Sequence, residues 1–387
     1  MPDSSLINDI ATDAKTWRRD IHAHPELLYD VDRTAKLVEE KLRGFGCDNV
    51  EVAIGRTGVV GVIKGRGAGG RVMGLRADMD ALPIHEQTNL PYRSQVEGKM
   101  HACGHDGHTA MLLGAARYLA TTRNFAGTAV VIFQPAEEGG AGAKAMIDDG
   151  LMERFGIETV YGMHNMPSLP VGAFALRKGP LMAAADQFKI TIEGKGGHAA
   201  FPQGCQDPVL AGAAIVMALQ GIVSRNVDPL DSCVISATRF DAGTAFNIIP
   251  QTAEIWGTVR TLLPATRDLA EKRMREVVAG VALAQGVTAE LDFQRNYPST
   301  RNHPEPTDFA TAVARRVAGD GKVVADMAPV MGAEDFSFML ESRPGAFIFI
   351  GNGDSAGLHN AAYDFNDDAI PHGMSYWAEL VESAMPA

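Results

Sequence analysis

The spacing of apolar and polar positions changes character twice along this chain. Near the amino terminus Ile10, Trp17 and Ile21 share one face at helical spacing, and HAHPEL follows with Pro25 where a helix must stop. VVGVIKG (59–65) and RVMGLRADMDAL (71–82) read as strands separated by a Gly-rich turn, GRGAGG. A helical pattern occupies TAMLLGAARYLA (109–120). TAVVIFQPAEEGG (128–140) reads as a buried strand broken by Pro135, with a helix from Ala141, and TVYGMHN (159–165) as another strand. Strands and helices alternating in this way predict an α/β fold, a mixed sheet flanked by helices.

From about residue 184 the rhythm becomes that of half-covered strands. FKITIEG (188–194), SCVISATRFDAG (232–243) and TAEIWGTVRTL (252–262) alternate apolar with polar residues. Helical patterns at Pro208–Ile222 and at 267–285 flank them; in the second, Leu269, Met274, Val277, Val278 and Val281 are predicted to share one face. After the polar, Pro-containing join RNYPSTRNHP (295–304), the first texture returns with FIFIGNG (347–353) and a last helix. The chain, at 387 residues, is too long for one core. The expected organisation is a catalytic domain built from residues 1–183 and 297–387. Residues 184–296 are the insert, an α+β domain with a four-stranded antiparallel sheet and two helices.

Composition narrows the functional classes. A formal net charge of -12 argues against nucleic acid and acidic membranes as partners, because both select clustered positive charge. The polar amino terminus lacks the apolar core of a signal peptide, and no window is expected to approach the roughly 18 apolar residues of a membrane span. The four cysteines are scattered, without the spacing of a disulfide framework, which fits a reducing cytoplasm and leaves thiols free for ligation.

The chemistry concentrates in HACGHDGH (101–108), where five of eight side chains can bind a metal or move a proton. Cys103 and His105, one residue apart, can reach one ion or two neighbouring ions. Glu137 and Glu138 follow a predicted strand; their side chains diverge, so one can bind metal while the other serves as a base. His164 and His359 also stand where predicted strands end, the position at which α/β folds place their sites. Cys103, His105, Glu138, His164 and His359 exceed the four donors of a tetrahedral zinc and suit two ions sharing a water. Two rival readings use fewer of these residues. One is a thiol amidase in which Cys103 attacks and His105 or His108 is the base; the other is a noncatalytic protein with one structural zinc.

HAHPEL, RADMDALPI, HACGHDGH, QPAEEGG, GMHN, GPLMAAAD, GGHAA, MGAEDF and LHN…YDFND occur in an order that resembles the hippurate hydrolases and N-acyl-amino-acid amidohydrolases, relatives of aminoacylase and the dimetal carboxypeptidases. The resemblance runs from about residue 17 to residue 380. It implies hydrolysis of the amide bond of an N-acyl-amino acid by a dimetal exopeptidase-like domain. Cys103, His105, Glu138, His164 and His359 would bind two divalent ions (zinc, manganese, nickel or cobalt), with Glu137 as general base. It also implies that Asp80 supports the metal site, although Asp78 and Asp80 lie on the same side of the predicted strand and the residues alone do not choose between them. In the insert, it implies that His198 reaches the substrate carbonyl from its own or a partner subunit. Asn247 and Arg260 would contact the substrate carboxylate. The insert would act as a lid and as the contact of a homodimer or larger assembly.

Overall fold

The computed structural model describes residues 1–387, and the chain divides into two units. The first comprises Met1–Gly179, Arg301–Ala328 and Asp335–Ala387; the second comprises Pro180–Thr300 and Pro329–Glu334. In chain order, the first segment carries α1 (Ser4–Ala23), α2 (Asp32–Gly44), β1 (Asn49–Ile54), β2 (Gly58–Lys64), β3 (Gly67–Asp78), α3 (His105–Thr122) and β4 (Ala126–Gln134). It continues with α4 (Gly142–Asp148), α5 (Leu151–Arg154), β5 (Thr159–Pro167) and β6 (Phe174–Ala175). Next come β7 (Gly179–Met182), β8 (Ala184–Glu193), β9 (Gly197–His198), α6 (Pro208–Arg225), β10 (Cys233–Ala242), β11 (Ile248–Ile249), β12 (Thr252–Thr261), α7 (Pro264–Gln285), β13 (Thr288–Tyr297) and β14 (Thr300–Asn302). The last stretch holds α8 (Pro304–Ala318), β15 (Val323–Val324), α9 (Phe336–Ser342), β16 (Gly345–Gly353) and α10 (Ile370–Ala384).

The first unit is built on an eight-stranded mixed sheet in the order β1-β2-β4-β3-β5-β16-β6-β15. Its centre is parallel: β3 pairs with β4 and with β5, and β5 with β16. These strands are buried on both faces, which is why their sequences read as apolar runs. Ile7, Ile10, Ala14 and Trp17 of α1 join Met111, Leu112 and Ala115 of α3 and Met374, Trp377 and Val381 of α10 in one core. Because the four central strands run the same way, their carboxyl ends open on one edge of the sheet. Asp78, Gln134, His164 and the loop beyond Gly353 all stand there.

In the second unit the sheet is antiparallel throughout, in the order β10-β12-β8-β13. Ile190, Ile192, Ile235, Ile255 and Val259 of its strands form a core with Ile215, Leu219 and Ile222 of α6 and Met274 and Val278 of α7. Pro329–Glu334 returns to this unit, where Ala183 N–H donates to the carbonyls of Val330 and Gly332.

Four expectations need correction. β3 starts at Gly67, inside the expected turn, and stops at Asp78 rather than Leu82. The Asp78 carbonyl accepts the Thr109 hydroxyl at 2.7 Å instead of continuing the ladder, so Asp78 and Asp80 are not residues of one strand. α3 begins four residues early, at His105, because Gly104 with φ 87° turns the chain directly into it. In α7 the fully buried stripe is Thr266, Ala270, Met274, Val278 and Ala282. Leu269, Val277 and Val281 lie beside it, only partly covered: small side chains fill the tightest contact. Finally, α6 is long and apolar enough to cross a bilayer by length and composition. Its Ile215, Leu219 and Ile222 belong to the core of the second unit, which accounts for one apolar face.

Asp186, fully buried on β8, accepts from Arg267 Nε at 2.9 Å and from the Asn296 amide at 3.1 Å. Arg267→Ala leaves that carboxylate buried without its counter-charge and should lower stability by about 3 kcal/mol. The measurement is the urea unfolding midpoint; a value equal to that of the unsubstituted chain would contradict this account.

Candidate metal centre

At the carboxyl edge of the parallel strands, donors from four places in the chain converge. The ligating atoms of Cys103, His105 and His164 lie within 4.8 Å of one another, as do those of Cys103, Glu138 and His359, and those of His105, Glu137 and Glu138. The Cys103 Sγ stands 3.3 Å from His164 Nε2, and His359 Nε2 is 3.2 Å from Glu138 Oε1. His105 is fully buried, and its ring nitrogens meet only long contacts: Nδ1 stands 3.5 Å from Asp80, and Nε2 3.8 Å from Asp78 and 3.9 Å from Glu138. An imidazole buried in that way costs stability unless something else binds it.

The electrostatics say what that something is. Burial, then Glu138 and Glu137, push the Cys103 thiol well above its usual range. That is the opposite of the electropositive setting that activates a nucleophilic cysteine. Burial opposes a charge on His105, but Asp78 and Asp80 outweigh it and raise its pKa to about 10. His164 goes the other way: burial, then His108, keep it neutral with a lone pair to offer. The cluster is therefore short of positive charge. Thiolate, imidazole and carboxylate donors around one point fit a divalent cation.

Backbone geometry brings these donors together. Cys103 precedes Gly104, whose left-handed conformation starts α3, and on the first turn of that helix the rings of His105 and His108 stack with centroids 5.5 Å apart. Glu137 and Glu138 ride on a loop between β4 and α4, and their amides donate to Asp80 at 2.9 and 3.1 Å. Asp80 also lies 3.5 Å from His105 Nδ1. His359 has φ 60°, uncommon for a residue with a Cβ, and its amide donates to the Ala102 carbonyl at 2.8 Å.

Behind the donors lies a buried ionic layer. Arg76, on β3, donates from Nη1 to Asp78 at 2.7 Å, from Nε to Gln134 at 2.7 Å and from Nη2 to Asp335 at 3.0 Å. Asp78 in turn accepts His108 Nδ1–H at 2.6 Å. Asp335 accepts the Ala143 amide at 2.9 Å, and its own amide points at Glu137 Oε1 at 3.4 Å. On another side Arg18, fully buried, reaches Asp106 at 2.8 Å and Asp364 at 2.7 Å, and His22 Nδ1–H donates to Asp106 at 2.8 Å. Of the five candidates in HACGHDGH, then, Cys103 and His105 join the cluster. Asp106 and His108 are held by the ionic layer, and His101 is buried with both ring nitrogens unpartnered. Reading the residues alone missed Arg76, Gln134, Asp335, Asn165 and Tyr363. The signal available for Arg76 was a basic residue, two before Asp78, at the end of an apolar strand, MGLRAD.

His198, Asn247 and Arg260 belong to the second unit. His198 pairs across β9 and β11 with Ile248, and Ala199 N–H donates to the Asn247 carbonyl at 3.1 Å, so His198 and Asn247 are neighbours. Arg260, on β12, is half-buried and lines a depression of about 350 Å³ with Asp186, Trp256, Thr238 and Asn296.

A mixed sheet with clustered donors at its carboxyl edge is the architecture of metal-dependent exopeptidases. Residues 74–383 match the model of peptidase family M20/M25/M40, and the chain belongs to that family. Hippurate hydrolase of Campylobacter jejuni is 46% identical over 97% of this chain and 97% of its own. N-acetylcysteine deacetylase of Bacillus subtilis is 42% identical over 94% of each chain. Among solved structures, the YXEP protein of Bacillus subtilis, described as a dinuclear metal binding peptidase from the M20 family, is 38% identical. It superposes with a TM-score of 0.86 over 98% of this chain and 99% of that one.

The His22–Asp106 pair gives a pH dependence. Burial lowers the pKa of His22, but Asp106 overrides it and raises it to about 9. A folded-state value above the ordinary 6.5 means that the pair contributes stability below pH 6.5, which fades as the pH rises towards 9. The loss amounts to roughly 3 kcal/mol. Denaturant titrations across that window should show the decline in the native sequence and a flatter profile in His22→Gln.

Proposed function

We propose that this chain hydrolyses the amide bond of N-acyl-amino acids, using two divalent ions held by Cys103, His105, Glu138, His164 and His359. The observation that carries the reading is the convergence of these five donors, with Glu137 left over beside them. A structural zinc needs four ligands and no spare carboxylate. Zinc suits the mixed donors best; manganese, nickel and cobalt fit the same atoms. When bound, such ions would supply Lewis acidity and lower the pKa of a bound water.

The chain's own groups do the rest. Glu137, buried beside Glu138 and held at its amide by Asp80, is placed to take a proton from the attacking water and return it to the leaving nitrogen. Asp80 orients this loop and His105 together. His198 is assigned to the developing oxyanion, and Asn247 and Arg260 to the substrate carboxylate. What supports Arg260 is a half-buried guanidinium facing a depression. The names of the relatives, hippurate hydrolase and N-acetylcysteine deacetylase, support an N-acyl-amino acid as substrate.

The second unit is proposed to serve as lid and as the contact of a homodimer or larger assembly. Phe240, Phe246 and Ile248, exposed beside the edge strand β10, support that role. Four free cysteines support a reducing, cytoplasmic setting.

Glu137→Gln should retain two metal ions per chain and lose roughly a hundredfold or more in turnover on hippurate and N-acetyl-amino acids. Near-native turnover would remove Glu137 from the mechanism. Cys103→Ser should lower metal occupancy by elemental analysis, whereas a variant of a nucleophile would keep its metal. The acyl group and metal are read from a panel of N-acyl-amino acids assayed with each ion.

A further inference from the structure

Asn165 follows the donor His164 and is fully buried. It uses four polar atoms on four different partners. Its carbonyl accepts His164 Nδ1–H at 2.6 Å, which leaves Nε2 of that ring as the lone pair facing Cys103. Its amide donates to His108 Nε2 at 2.9 Å. Its side-chain Nδ2 donates to the Cys103 carbonyl at 2.6 Å, and its Oδ1 accepts the hydroxyl of Tyr363 at 2.6 Å. Tyr363 is itself fully buried, four residues beyond His359, and its amide bonds back to Asn360.

One asparagine and one tyrosine thus tie the Cys103–His105 turn and the end of β5 to the segment beyond His359. The space between them is tight: a Cβ on Gly104 would lie 2.3 Å from Asn165 Nδ2 and 2.6 Å from the Tyr363 hydroxyl. The polar atoms of Asn165 are taken up by other protein groups, and the Tyr363 hydroxyl by Asn165 Oδ1, so both residues act on the donors through hydrogen bonds.

We infer that Tyr363 and Asn165 are positioning residues for the metal centre: the Tyr363–Asn165–Cys103 chain of hydrogen bonds holds the thiolate and the His164 ring at the spacing a cation requires. The inference rests on the ligand set proposed above. Groups that orient ligands in this way change metal affinity by roughly 10- to 100-fold when removed. Tyr363→Phe keeps the ring and removes one donor, leaving Asn165 Oδ1 buried and unpaired.

The test is a titration of the full, metal-stripped chain with Co²⁺, following the thiolate-to-cobalt charge-transfer absorption. In Tyr363→Phe the band should appear with an apparent dissociation constant at least tenfold weaker than in the native chain. The unfolding midpoint of the stripped protein should fall modestly, as one unpaired buried carbonyl requires, so the loss of affinity is the reading that separates positioning from packing. Asn165→Asp, which sets an acceptor against the Cys103 carbonyl, should weaken binding at least as much, and it gives the same reading if Tyr363→Phe does not fold. Cobalt affinity within twofold of native in both variants would overturn the inference. So would a drop in the midpoint of the stripped protein without a change in affinity. Absence of the thiolate band in the native chain would instead overturn the ligand set itself.

Discussion

The guanidinium of Arg76 decides where the acidic parts of this site can stand. It lies buried in the sheet, so its charge must be surrounded by acceptors. Those acceptors come from the ends of two strands and from the segment entering α9: Asp78, Gln134 and Asp335. Asp78 fixes the tautomer of His108, which in turn accepts from the amide of Asn165, and Asp335 holds the first turn of α4 beyond the Glu137–Glu138 loop. The positions of the donors thus follow from satisfying one buried cation. Arg18 plays a similar part on the far side of the Cys103 turn, through Asp106.

The fold was legible in the sequence wherever a periodic pattern was long. The strands at Gly58–Lys64, Ala126–Gln134 and Thr159–Pro167 and the two helices of the second unit follow from apolar spacing alone. The ends of elements were less legible, because local bonds outside the pattern set them. A threonine hydroxyl from α3 ends β3, and a left-handed glycine opens α3 earlier than its apolar residues indicate. The stripe on α7 was misjudged because size decides its closest contacts: Ala270 and Ala282 pack where larger side chains were expected.

The site was legible in a similar, partial way. Ligand-type residues at strand ends announce themselves, and Cys103, His105, Glu138, His164 and His359 are brought together. The groups that orient them do not. Asn165, Tyr363, Gln134 and Asp335 are ordinary residue types whose importance lies in what they touch across up to 259 residues of chain, a distance set by Arg76 and Asp335. Spacing along a sequence holds no record of such contacts. Asp78 and Asp80 illustrate the point, since two residues of separation suggested equivalence. The fold gives one to His108 and Arg76 and the other to the amides of Glu137 and Glu138.

The left-handed backbone at His359 bears on transplanting this centre into another scaffold. A side chain there costs roughly 1–2 kcal/mol relative to a relaxed residue, and the surrounding bonds have to compensate for it. A grafted set of five donors on idealised loops would carry the right atoms on the wrong vectors. The smallest portable unit therefore includes Gly104, the amide bond from His359 to Ala102, and the buried layer that holds both loops still. In engineering terms, this metal site is a property of a backbone, and its side chains are the last part to copy.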